Sequence, residues 1–112
     1  MKTENMTSTN GNKVANQFII TDENNGHTYF QSYNSIIVKK YVGQTQQHTF
    51  LDQKYWNYSN TTGKYRNIFL NENITETRKK IKSGEYKLVD LNINNKVHYH
   101  DKLDENGISI NA

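Results

Sequence analysis

Ser59-Asn60-Thr61-Thr62-Gly63-Lys64-Tyr65-Arg66-Asn67-Ile68-Phe69-Leu70-Asn71 is the stretch in which this chain changes period. Tyr65, Ile68 and Phe69 fall at i, i+3 and i+4, which places them on one face of a helix. Ser59, Asn60, Thr61 and Thr62 offer side-chain oxygens able to cap the free N–H groups of a helix start. Asn71 tolerates the left-handed backbone that ends one. A second helix is expected after Asn73, because Glu76 stands three residues on and completes a capping box. It runs through Ile74, Arg78 and Ile81 to Gly84, a residue suited to the left-handed C-cap. This helix has little to bury beyond Ile74 and Ile81, so most of it must face water or a partner.

On the N-terminal side of this stretch the pattern is β. Gln17 to Thr21 is a short run with β-branched residues, and Asn25-Gly26 suits a type I′ hairpin. His27 to Tyr33 and Ser35 to Val42 follow, with Asn34 marking a tight turn or a bulge. Ile36, Val38 and Val42 alternate onto one face. After a polar loop, His48 to Leu51 reads as another short strand, so an antiparallel meander with one solvated face is expected. On the C-terminal side, Glu85 to Leu91 returns to period two. The expected fold is α+β: a small antiparallel sheet of about four to five strands, ordered β-β-β-β-α-α-β, with both helices packed on one face. Residues 14–92 form the single domain. Residues 1–13 read as a disordered arm and 93–112 as a C-terminal hairpin or a loose tail.

A chain of 112 residues holds one domain, and at 33% hydrophobic its core must be thin. Eight Tyr, four Phe and Trp56 make up part of the deficit with ring surface. The absence of cysteine excludes disulfides, thiolate nucleophiles and cysteine metal sites. No apolar run is long enough to span a bilayer, and the polar first residues lack the apolar core of a signal peptide. The expected location is therefore the cytoplasm. The formal net charge is +3, but residues 54–87 carry eight basic residues against Glu72, Glu76 and Glu85. The basic character is thus concentrated in that part of the chain.

The run Tyr55-Trp56-Asn57-Tyr58-Ser59-Asn60-Thr61-Thr62-Gly63-Lys64-Tyr65, the later Lys82-Ser83-Gly84-Glu85-Tyr86, and Tyr29-Phe30-Gln31-Ser32-Tyr33 carry a resemblance. Together they resemble a family of small uncharacterised proteins of bacteriophages and mobile elements. In that family a strand pair leads into a YW-(D/N)-YS-x-TT-x-x-Y segment, two helices and a Lys-Ser-Gly-Glu-Tyr exit. The resemblance covers about residues 28–92. It brings context and no activity. Asn57 stands where relatives often have Asp, which argues against an essential acid there. By analogy, small phage accessory proteins often block host machinery, CRISPR effectors included.

Four constellations bear on function. Trp56 and Tyr65 are expected to close the core, whereas Tyr55 and Tyr58 are candidate stacking platforms or interface anchors. Arg78, Lys79, Lys80 and Lys82, extended by Lys64, Arg66 and Lys87, are candidate contacts to phosphate or to an acidic groove on a partner. His98 and His100 would point to the same side of a strand, but a third and fourth metal ligand are wanting. His48 and Asp52 are the one acid–base hint, and no Gly-rich phosphate loop or nucleophile elbow is present. The expectation is a non-enzymatic protein without a cofactor that binds and inhibits a host defence protein or ribonucleoprotein, with a Cas nuclease complex as the sharpest case. The alternative is a sequence-tolerant DNA- or RNA-binding module using the same residues.

Overall fold

The computed structural model describes residues 1–41 and 48–93. The expected Val42 position, the polar loop and the Lys96–His100 segment lie outside the described residues. The elements are β1 (Lys2–Thr7), β2 (Lys13–Asp22), β3 (His27–Ser32), β4 (Ser35–Tyr41), β5 (Thr49–Asp52), α1 (Asn60–Leu70), α2 (Ile74–Ser83) and β6 (Tyr86–Val89). They build an α+β fold in which six strands lie in sequence order in one sheet. β1 to β5 are antiparallel neighbours. β6 pairs with β5 in parallel, which corrects the all-antiparallel expectation. The long connection through both helices is what permits a parallel return.

The segment expected as a disordered arm instead forms β1. Its one buried side chain is Met6, so it holds mainly through its ladder with β2. Asn10-Gly11 is the signal that reading missed. Gly11 has a φ of 81° and its N–H donates to the Ser8 carbonyl at 2.9 Å, closing the β1–β2 turn. The Asn25-Gly26 turn is also longer than expected. Asp22 pairs with His27, which leaves a four-residue loop with only Gly26 at positive φ, and the Asp22 carboxylate accepts from the Asn24 N–H and the Asn25 amide.

A bulge in β4 decides which face of the sheet its residues take. Phe30 pairs with Val38 and Gln31 with Ile36, so Ile37 is inserted between them. Ile37 and Val38 therefore point to the same side, and Ile36 to the other. The expected alternation of Ile36 with Val38 on one face is thereby corrected. So is the solvated face, because both sides carry buried clusters. Met6, Phe30, Ile37, Val38, Leu51, Tyr65 and Tyr86 form the helix-side core, against which Trp56, Phe69, Leu70 and Ile81 pack. Ile20, Tyr29, Ile36, Phe50, Val89 and Leu91 form the other.

The helix caps follow the sequence reading. Ser59 Oγ accepts from the Thr62 N–H, and Asn71 ends α1 at a φ of 55°. Asn73 and Glu76 form the reciprocal capping box of α2, and Gly84 ends it at a φ of 86°. The buried face of α1 is rotated from the expected one. Thr62, Tyr65 and Arg66 are buried and Phe69 is half-buried, while Ile68 is 49% exposed. Lys40 of β4 caps the other end of α1, its ammonium donating to the Phe69 carbonyl at 3.2 Å and lying over that ring.

Candidate functional site: a tyrosine-walled groove and a cationic helix

Asp52 and Arg66 set the geometry of the segment between β5 and α1. Asp52 is buried, and its carboxylate accepts from the N–H groups of Lys54, Tyr55 and Leu91 and from the Asn92 amide, at 2.8 to 3.0 Å. Those bonds commit the Asp52 carboxylate chiefly to holding backbone in place. Arg66 is only 1% exposed. Its guanidinium donates to the Trp56 carbonyl at 2.8 Å, to Asn57 Oδ1 at 3.1 Å and to Asn67 Oδ1 at 2.9 Å. It also lies 5.4 Å from the Trp56 ring centroid. Burial, with Arg78 nearby, lowers its pKa from the ordinary arginine value. Arg66 was expected to meet a partner. It is instead the clamp that fixes the loop carrying Tyr55 and Tyr58.

Lys80 is also largely committed. Its ammonium donates to Glu72 Oε1 at 2.7 Å, and the Tyr86 hydroxyl donates to the same oxygen at 2.8 Å. The Glu72 hydrogen bond raises the pKa of Lys80. Burial would raise the Glu72 carboxyl, but hydrogen bonds from Lys80, Thr77 and Tyr86 outweigh it and hold the carboxyl below its usual value. Burial, and then the bond to Glu72, push the Tyr86 phenol up to about 12. Lys87 is exposed, but strand alternation sets it on the side of the sheet opposite to Tyr86, away from the helices.

Lys64, Arg78, Lys79 and Lys82 remain as exposed cations of the helices. Among the described residues, none of the four has an ion-pair partner. Arg78 and Lys82 are one turn apart on α2, and Lys79 adjoins them on its outer surface.

A groove of about 550 Å³ opens beside the start of α1, lined by Ser32, Tyr33, Asn34, Ser35 and Ile37 of the β3–β4 region and by Tyr55, Tyr58, Ser59, Thr61 and Thr62. A hydrogen bond of 2.9 Å between the Ser32 and Thr62 hydroxyls ties the two walls together. Tyr55 and Tyr58 meet edge to face at 5.5 Å, and Tyr58 is 67% exposed. Tyr33 is the residue that sequence reading missed. It turns the chain between β3 and β4 at a φ of 57° and is 49% exposed. A bulky residue in the left-handed region is strained by about 1–2 kcal/mol. The N–H of Tyr33 donates to the Asn16 carbonyl and its carbonyl accepts from the Gln31 amide, both at 2.7 Å, which holds it there. The legible signal was a tyrosine where a two-residue turn favours glycine or asparagine.

Among the described residues, no three of His, Cys, Asp and Glu come together as metal ligands. No helix among them is long and apolar enough to cross a membrane. The fold and groove thus define a small α+β protein with an exposed aromatic groove and a cationic helix surface. The chain belongs to a family of unknown function (DUF8033), whose profile matches residues 1–85. That match takes in β1 as well as the helices. No curated protein and no solved structure matches the chain.

Proposed function

We propose that this is a non-enzymatic accessory protein of a phage or mobile element that binds and inhibits a component of host defence in the bacterial cytoplasm. In its sharpest form the target is a Cas nuclease complex. The observation that carries the reading is the set of exposed cations Lys64, Arg78, Lys79 and Lys82, which have no ion-pair partner among the described residues, on the same part of the chain as the exposed Tyr58. Exposed cations without a carboxylate partner speed encounter with an acidic surface. Exposed tyrosines are the residue type that anchors interfaces. The family resemblance supplies the phage context, by analogy.

The test is a pull-down from host lysate with the full chain, paired with a cleavage assay of a guide-loaded Cas nuclease. Capture of a defence nuclease complex and slowed cleavage, both lost in the triple variant Arg78→Glu/Lys79→Glu/Lys82→Glu, are expected. No specific partner and unchanged cleavage by nucleases of several types would overturn the reading. Basic residues beside aromatics also suit a sequence-tolerant nucleic-acid module. That reading requires a gel shift at low salt that weakens steeply as salt rises.

A further inference from the structure

We propose that the groove between the β3–β4 turn and the start of α1 binds a nucleotide unit, its planar base against Tyr33 and Tyr58 and its phosphate toward Lys54 and Lys64. This site is distinct from the cations of α2, and it stands whether or not a defence complex is the target.

Three observations converge on it. The first is aromatic. Tyr33 and Tyr58 both line the groove and both leave large ring surface in water, so core packing does not account for their rings. Tyr33 holds a left-handed backbone that glycine or asparagine would adopt with less strain. Every base has a π-face, and exposed tyrosines are the usual platform for one. The second is polar. Asn34, Ser35, Ser59 and Thr61 bring an amide and hydroxyls to the walls, groups that donate to and accept from base edges and sugar. The third is charge. Among the described residues, no carboxylate lines the groove. At its rim, Lys54 lies 5.2 Å from the ring centroid of the lining Tyr55, and Lys64, one helical turn beyond the lining Thr61, lies 5.5 Å from the Tyr65 ring centroid. A ligand that is both planar and anionic satisfies all three, and a volume of about 550 Å³ accommodates a nucleotide.

The full chain is titrated at low salt with fluorescein-labelled hexamers of dT and rU, read by anisotropy, and with UMP, read by backbone amide shifts. Saturable binding is expected, with shifts at Ser35 and Thr61. Tyr58→Ala and Tyr33→Gly should each weaken it about tenfold, while Tyr33→Phe retains it. Tyr33→Gly relieves the left-handed backbone, so its melting temperature should not fall, and Tyr58→Ala alters a mostly exposed side chain. Binding of UMP marks a free nucleotide as the source, and binding of hexamers alone marks a single strand; either supports the site. No binding of any probe overturns it. So does binding that survives both tyrosine variants and is lost in the α2 triple variant. Capture of a host protein through Tyr58, without any nucleotide binding, assigns the groove to a protein and equally overturns it. Failure of the host-defence reading shows only in the pull-down and cleavage assays, so the two outcomes are separable.

Discussion

Replacing Arg66 by alanine tests the division between clamp and contact surface. The side chain makes three hydrogen bonds and stacks on Trp56, all while 1% exposed. Bonds from a charged donor contribute about 1.5–3 kcal/mol each and the stack about 1 kcal/mol. The desolvation of the buried charge offsets much of this, and the exposed Asn57 regains water when its partner goes. The net loss is therefore about 3 kcal/mol, or a fall in Tm of about 12–24 °C for a domain of this size. Arg66→Lys should recover little, because an ammonium does not span the three acceptors that the planar guanidinium reaches. Urea unfolding followed by far-UV circular dichroism measures the change without relying on Trp56, whose ring is itself part of the contact. Arg78→Ala, on the exposed side of α2, is the control and should stay within about 0.5 kcal/mol of the parent. An Arg66→Ala variant as stable as Arg78→Ala would refute the clamp and return Arg66 to the contact surface.

The same guanidinium meets only neutral acceptors, so Asn57→Asp should place a carboxylate about 3 Å from it and raise stability by about 1 kcal/mol; the gain should disappear in urea melts below pH 3, where the new carboxyl is protonated. Burial, with Lys39 beside it, lowers the His27 imidazole to about 4 against an ordinary 6.5. Because the folded value is the lower one, the unfolded chain takes up the proton first: stability is full above about pH 6.5 and falls by up to about 3 kcal/mol as pH drops to 4. His27→Phe should flatten that limb of a stability–pH profile, and a slope unchanged by the substitution would refute the assignment. Gln17 is fully buried, and among the described residues neither of its amide atoms has a hydrogen-bond partner. Gln17→Met keeps the volume and removes the unpaired groups, so it should stabilise by about 1–2 kcal/mol in thermal melts; a loss of stability would mean that an internal water satisfies the amide.

The sequence by itself determined the helices, their caps and the class of fold. Ser59, Asn71, Asn73, Glu76 and Gly84 act within one turn of their own position, and local rules read such residues directly. It also marked Trp56 and Tyr65 as core and placed the exposed cations of α2. Only the tertiary structure decided the rest, because the rest depends on partners distant in the chain. β1 is stable through its ladder to β2 rather than through its own polar residues. One inserted residue, Ile37, put Ile36 on the second face, which Ile20, Tyr29, Phe50, Val89 and Leu91 bury with it. Arg66 and Lys80 carry the same charge as Arg78 and Lys82, yet the first pair is engaged by Trp56, Asn57 and Glu72 and the second is exposed. Charge is legible in a sequence, but whether a charge is spent inside the fold or left for a partner is fixed by what folding brings beside it.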